Sequence, residues 1–227
     1  MINKKILFMG RSKCEISKKI ILFLKKTFNK VDIFTSKNIL TKPNKKILSW
    51  RGDYIFCFRS FFILKKNFIK KAKFAAINFH PGPPKYRGIG CVNFAILNNE
   101  RKYGSTAHLI DENIDHGKII NVKYFSIKKN DGVENILNKT YYHQYLQFID
   151  IVGELAKSDL SLQRFIKSSK KEKWSQKLYK RKDLNKLYDI NVRTSKKMLD
   201  FILRATITKK YKPYIKVFKK KFFYCAQ

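Results

Sequence analysis

The chain is poor in most of the residues that mark specialised protein classes. Its 227 residues include four cysteines, Cys14, Cys57, Cys91 and Cys225, with no C-x-x-C pair and no even spacing. That excludes a disulfide framework and a zinc site, and it fits a reducing cytosol. Nine glycines and five prolines are too few for a collagen-like or linker-like chain. No apolar run reaches the ~18 residues that a spanning helix needs. Residues 1–10 form a short strand-like run behind Lys4 and Lys5, without the apolar region and small-residue cleavage site of a signal peptide. The expectation is a cytoplasmic protein without membrane insertion and without a metal. Acidic residues are scarce too: 16 Asp+Glu face 51 Lys+Arg, for a formal net charge of +35.

Arginine is the minority even among the cations, with 9 Arg against 42 Lys. Readers of nucleic acid often favour Arg, whose planar fork grips phosphates and base edges bidentately. A Lys excess spread along the whole chain reads first as a solvated, compositionally biased surface, with a dedicated polyanion-binding face as the alternative. Either way, non-specific attraction to polyanions is expected at low salt. What the chain does have is apolar material. Hydrophobic residues make up 44% and aromatics 15%, enough for a real core and too much for a disordered basic tail.

The apolar pattern alternates between two periods. Residues 4–9 (KKILFM), 31–35 (VDIFT), 54–58 (YIFCF) and 75–79 (AAINF) read as strands. Between them, residues 16–28 carry apolar side chains at helical spacing, and residues 64–72 look helical. Strands alternating with helices predict an α/β fold, Rossmann-like, with a mostly parallel sheet and helices on both faces. Residues 105–110 and 118–125 read as further strands and residues 132–156 as a long helix. The last 75 residues carry 22 basic and 6 acidic side chains. They hold two short amphipathic helices, near residues 181–187 and 195–205, and end in two strand-like pieces, residues 214–218 and 222–224, around a Lys-rich turn. That hairpin could form a dimer contact.

One window departs from this texture. Residues 78–117 hold five of the nine glycines, three of the five prolines and three of the four histidines, and their net charge is zero. A buried segment would also exclude Lys. Buried segments are seldom rich in Gly, Pro and His, so the window reads as an active site. Its centre is Asn78-Phe79-His80-Pro81-Gly82-Pro83-Pro84. Side chains alternate along a strand, so Asn78 and His80 point one way and Phe79 the other. Pro81 ends the strand. An amide and an imidazole then sit at the C-terminal edge of a parallel sheet, where open α/β folds bind ligands. The amide can stabilise a developing oxyanion and the imidazole can carry a proton near neutrality. The acidic cluster at residues 111–115 offers a partner for the His. Asp115 lies in a turn before His116-Gly117.

The linked motifs of residues 77–120 resemble the folate-dependent formyltransferase family. The family's N-x-H pair, Pro/Gly loop, Y-R-G step, G-x-T strand and D-x-G turn appear in order. They stand here as Asn78/His80, residues 81–84, Tyr86-Arg87-Gly88, Gly104-Ser105-Thr106 and Asp115-His116-Gly117. The resemblance covers about residues 1–155 and weakens beyond. It implies a catalytic domain at 1–155 followed by a small basic extension at 156–227. It also implies formyl transfer from 10-formyltetrahydrofolate to an amine. It places the catalytic residues at Asn78, His80 and Asp115. Folate-binding residues are implied at Arg59, Ser60, Phe61, Phe62, Ile63, Asn113 and Ile114. Substrate-binding residues are implied at Pro81, Gly82, Tyr86, Arg87, Gly88 and Thr106.

Three acceptor amines compete. Glycinamide ribonucleotide enzymes of this family carry a Gly-rich phosphate loop after the first strand. Gly10-Arg11-Ser12-Lys13-Cys14 has one glycine, too few for such a cradle. Methionyl-tRNA enzymes carry a larger basic C-terminal barrel, and about 70 residues look too short for it. The wording HPGPPKYRGIGCVN, with NIDHGKI downstream, is more similar to nucleotide-linked amino-sugar N-formyltransferases, enzymes of lipopolysaccharide or O-antigen biosynthesis. Lys and Arg would meet the nucleoside diphosphate, and Tyr or Trp174 could stack on its base. A non-catalytic polyanion binder on the same fold is the reading from another class, although such a protein would be expected to lose Asn78, His80 or Asp115.

Overall fold

A computed structural model of the chain describes residues 1–225. Strands β1 (Ile2–Arg11), β2 (Phe28–Ser36), β3 (Gly52–Phe58) and β4 (Ala72–His80) run parallel, and helix α1 (Glu15–Thr27) connects the first two. Single-turn helices α2 (Lys45–Leu48) and α3 (Lys66–Ile69) make the next two crossovers. A two-residue strand, β5 (Arg87–Gly88), and helix α4 (Cys91–Leu97) follow β4. Strands β6 (Lys102–Leu109) and β7 (Ile119–Ser126) then complete the sheet, whose order is β2-β1-β3-β4-β6-β7. The β4–β6 and β6–β7 pairings are antiparallel. The sheet is therefore mixed with a parallel majority, as expected, and β4 is the strand where the two halves meet.

Parallel strands are covered on both faces, which is why their sequences run apolar instead of alternating. Residues 6–9 of β1 are fully buried. Ile6, Phe8, Phe56 and Phe79 face α1 and the 25-residue helix α5 (Val133–Lys157). Phe148 of α5 is the hub of that layer, 4.7 Å from the Phe79 ring and within about 6 Å of Phe8, Phe56 and Phe58. Leu7, Met9, Ile55 and Cys57 face the other way, onto Ile47, Trp50, Leu64 and Phe68. Each fully buried large side chain contributes about 1.5–3 kcal/mol, so the two layers fix the height of β4 within the sheet.

Several elements differ from the sequence reading. The helix expected at residues 64–72 is one turn, because the chain must re-enter the sheet at Ala72, which pairs with Gly52. Helix α4, inside the neutral window, starts after Gly90 at φ 77 and packs on the C-terminal region. Helix α6 (Leu160–Ser168) covers β7. A second two-residue strand, β8 (Leu178–Tyr179), pairs in parallel with β5. Helices α7 (Arg181–Tyr188) and α8 (Lys196–Thr206) stand where periodicity put them. Helix α8 packs on α4, and the Asn93 amide donates to the Ala205 carbonyl. Strands β9 (Tyr214–Val217) and β10 (Lys220–Phe223) form the expected hairpin, turning through Phe218 and Lys219 at positive φ.

Candidate active site

The site is built where β4 ends. Asn78 lies beside Cys57 of β3 and opposite His108 of β6, and His80 lies opposite Thr106. Residues opposite each other in an antiparallel pair share a face. Asn78 and His108 accordingly meet, with Asn78 Nδ2 3.0 Å from His108 Nε2. His108 Nδ1 lies 2.8 Å from the Leu109 carbonyl oxygen, a contact that only an N–H can make. His108 Nε2 then accepts from the Asn78 amide, whose second N–H is left over. Phe79 points into the core, and the Gln144 amide of α5 donates to its carbonyl, pinning the backbone between the two site residues.

Asp115 comes from the β6–β7 loop at φ 46, in the left-handed region that costs a non-glycine residue on the order of 1–2 kcal/mol. Its surroundings compel that conformation. Arg87 donates through Nε to the Asp115 carbonyl (2.6 Å) and through Nη2 to the Ile114 carbonyl (2.9 Å). A Cβ on Gly117 would lie 1.9 Å from the Leu109 carbonyl oxygen, so the loop can close against β6 only with glycine there. The Asp115 carboxylate thereby reaches three groups. Oδ2 is 3.2 Å from His80 Nδ1 and accepts from the Gly88 N–H at 2.9 Å; Oδ1 is 3.6 Å from His108 Nε2.

The hydrogen bonds assign the charge of His80. Nε2 is 2.8 Å from the Tyr86 carbonyl oxygen and must donate, while Nδ1 faces the Asp115 carboxylate. Both nitrogens face acceptors, so the imidazolium is the form that satisfies both. Burial opposes that charge, but the attraction and hydrogen bond of Asp115, helped by Cys91, outweigh it and hold the His80 pKa well above its ordinary 6.5. Burial likewise opposes ionisation of Asp115, and the charge and hydrogen bond of His80 override it, keeping the carboxyl far below the usual carboxylate range. The two form a buried ion pair.

In front of this cluster lies a cleft of about 520 Å³. Asn78, His108 and Asp115 form its floor. Ser60, Phe61, Phe62, Ile63 and Leu64 make one wall, and the loop at residues 111–114 makes another. Ile63 and Ile114 are 70% and 49% exposed, an apolar mouth suited to a flat heterocycle. The remaining side is Gly88 and Ile89 with residues 178–181. The C-terminal region reaches the cleft through the β5–β8 pairing, which requires Gly88: its φ is 88, and a Cβ would stand 2.2 Å from the Tyr179 carbonyl oxygen.

The structure brings Asn78, His80 and Asp115 together, and it places Ser60, Phe61, Phe62, Ile63, Asn113, Ile114 and Gly88 on the cleft. Other expected site residues lie elsewhere. Arg59 turns aside at φ 55, with its guanidinium 3.5 Å above the Tyr141 ring and donating to Cys14 Sγ. Pro81, Gly82, Tyr86 and Thr106 pack behind His80. There the Pro81 carbonyl accepts from Tyr103, the Gly82 carbonyl from Thr106, and the Tyr86 hydroxyl donates to Glu100. Arg87 clamps the Asp115 loop instead of facing the cleft. Trp174, expected to stack on a base, packs its indole edge-to-face on His80 and His108. His108, Cys57 and residues 178–181 were not among the site residues expected from the sequence. For His108 a signal existed: it is the second of the three histidines of the neutral window and falls on a predicted strand.

The sequence model of the formyl transferase family matches residues 9–152. The bifunctional polymyxin resistance protein ArnA of Wigglesworthia glossinidia brevipalpis is 31% identical over 119 residues, 50% of this chain and 18% of that protein. The chain spans less than half the length of the curated relatives it matches first. Among solved structures, a 4-N formyltransferase from Francisella tularensis superposes with a TM-score of 0.74 at 19% identity, over 98% of this chain and 97% of that one. The N-formyltransferase of Helicobacter canadensis, solved with folinic acid and dTDP-3-aminofucose, gives 0.67 at 23% identity, over 97% and 86%. At these identities the likeness shows the fold.

Proposed function

The chain belongs to the formyl transferase family, and from that premise we propose that it transfers a formyl group from 10-formyltetrahydrofolate to the amine of a nucleotide-linked amino sugar. One observation carries this reading: an amide, an imidazole and a carboxylate, Asn78, His108 and Asp115, meet on the floor of a cleft with an apolar wall at Phe61, Phe62 and Ile63. The wall suits the pterin ring. Lys180 and Arg181 at the other side supply charge for a diphosphate. The likeness to sugar N-formyltransferases over nearly the whole chain, extension included, supports the acceptor class.

The residues divide the chemistry between them. The acceptor amine attacks the formyl carbon, a bond from carbon to the amine forms, and the bond from carbon to N10 of the folate breaks. Overall one proton moves from the amine to N10. The second N–H of the Asn78 amide donates to the oxyanion that develops, a contribution of about 2.7–4 kcal/mol for a well-placed donor. Asp115, facing the cleft, accepts a hydrogen bond from the attacking amine and stabilises the positive charge that develops on it. His80 does not reach the cleft. It holds Asp115 ionised and in place from behind, while His108 orients the amide.

The deciding experiment is a panel of acceptors with 10-formyltetrahydrofolate: a dTDP-4-amino sugar, a dTDP-3-amino sugar, a GDP-amino sugar and methionyl-tRNA. Turnover of a sugar nucleotide is the expected result. Formylation of methionyl-tRNA alone would move the assignment to that branch of the family, and no transfer to any amine would leave a polyanion binder on the same fold.

A further inference from the structure

Trp174 lies in the segment that joins α6 to β8, about 60 residues beyond Asp115. Its ring is 5.1 Å from that of His108 at 87° and 5.9 Å from that of His80 at 71°, so one indole packs edge-to-face on both imidazoles that share Asp115. Its position is fixed from three directions. The indole N–H donates to the Gly117 carbonyl at 2.8 Å, two residues past Asp115. The next residue, Ser175, donates its backbone N–H to the Pro84 carbonyl at 3.0 Å and accepts from Arg87 Nη1 at 2.9 Å. Pro84, Arg87 and Gly117 belong to the loops that frame the His80–Asp115 pair. The segment is thus a strap tied across the cluster, with Trp174 as its inner face.

We infer that Trp174 is a positioning residue for formyl transfer, holding the His80–Asp115–His108 cluster dry and in register from outside the catalytic half of the chain. The inference rests on reading that cluster as the reacting one. The physical argument is local. A buried ion pair depends on exclusion of water, because solvent weakens the attraction between its members. The other groups that face His80 are few. From α4 the Cys91 thiol lies 3.8 Å from Nε2; from the loop before β5 only the Tyr86 carbonyl approaches; from β6 the Tyr103 hydroxyl is taken by Pro81; and Arg87 is occupied with carbonyl oxygens. Trp174 adds a large apolar ring to these neighbours. Without it, water relieves both the burial that opposes the imidazolium and the Asp115 attraction that favours it. Burial is the largest single influence, but the attraction and hydrogen bond of Asp115 together with Cys91 outweigh it, so as all of them weaken the His80 pKa moves down towards its ordinary value.

The test uses the full chain and two independent readouts. With Trp50→Phe, at a residue packed against Gly52 at the start of β3 and so at the opposite end of the strands from the site, Trp174 becomes the single tryptophan. An imidazolium against an indole quenches it, so emission should rise as pH climbs through the cluster's titration, and Asp115→Asn should shift that transition to lower pH. This readout needs no substrate and stands even if the acceptor class is wrong. For turnover, Trp174→Ala should lower kcat about 10- to 100-fold, the range expected for a displaced reacting group, with KM for the folate little changed. Its pH profile should move to lower pH, and Trp174→Phe should restore most of both. If emission is unchanged by both Asp115→Asn and His80→Asn, the indole does not sense the cluster and the inference fails. A folded Trp174→Ala protein with an unshifted profile would overturn it too. If Trp174→Ala does not fold, Trp174→Phe carries the kinetic test: a profile displaced as far as that of a Trp174→Leu protein would show that the ring has no positioning role.

Discussion

The neutral window and the basic tail are opposite kinds of sequence that build one site. Residues 78–117 carry no net charge, and most of their side chains are buried or tied by hydrogen bonds. Residues 153–227 carry a net +16, and their lysines stand mostly in solvent. Composition would assign function to the first and solubility to the second. The cleft takes its floor from the first, but one side and the strap over the histidines come from the second. Lysine enrichment therefore marks where side chains are free of constraint, residue by residue, and not where a segment is free of function. Inside the strap, Lys170, Lys171 and Lys173 are exposed, while Ser169 is buried and Trp174 packs inward.

This contrast can be broken at points of decreasing consequence. The largest effect is expected at the buried pair. Asp115→Asn and His80→Asn should each lower turnover by at least ~10²-fold, the scale of a lost acid/base or charge-fixing group, with far-UV circular dichroism unchanged. Near wild-type rates in either variant at saturating substrate would remove the pair from the mechanism. Asn78→Asp comes next. It keeps the size of the side chain but sets a charge against the oxyanion, so kcat should fall about 10²-fold while the folate Kd shifts only a few-fold. A lower Tm with kcat intact would mean that Asn78 serves only to close its strand against β6.

The join between the two regions is the next target. Gly88→Ala places a methyl against the Tyr179 carbonyl and should cost about 1–3 kcal/mol of stability, as strained backbone positions do. It should also expose the strap at residues 169–177 to proteolysis. An unchanged cleavage pattern would show that β5–β8 pairing does not hold the tail on the cleft. A smaller effect is expected from pH. The folded pKa of His80 is raised, so its contribution to stability is complete below the ordinary 6.5 and is lost as pH rises towards the folded value. Asp115 has a depressed pKa, so its contribution is present above the ordinary 3.8 and is lost only in strong acid. Unfolding free energy should therefore decline as pH rises from 6.5, and His80→Asn should flatten that slope. The smallest effect belongs to the surface. Changing Lys167, Lys170, Lys171 and Lys173 together to Gln should leave sugar-nucleotide turnover within about twofold at ~0.15 M salt, where the Debye length is ~8 Å. A collapse would give the tail's charge a direct role.

Much of this site was legible in the residues. The alternation of apolar strands and amphipathic helices determined the sheet and its C-terminal edge, because periods of 2 and 3.6 decide which faces can be buried. A period of 2 also put Asn78 and His80 on one face, and a turn before Gly117 put Asp115 near them. Other features had no local signal. Two-residue strands such as β5 and β8 have no period to read, so nothing announced that residues 178–181 return to the cleft. Arg59, two residues before Phe61, looked like part of the folate wall until its positive φ turned it towards Tyr141. Tyr86 and Thr106 looked like substrate contacts, whereas burial turned them into supports for His80.

What only the tertiary structure decided is which groups touch and in what charge state. His108 meets Asn78 because β6 runs antiparallel to β4 in one particular register, and a shift by one residue would turn it to the other face. His80 is an imidazolium because a carbonyl from one loop and a carboxylate from another converge on its two nitrogens. Strand and helix periods act over a few residues, so the sequence could determine the face on which each group stands. Protonation and contact depend on distances between segments 30 to 90 residues apart, and only packing of the whole chain sets those.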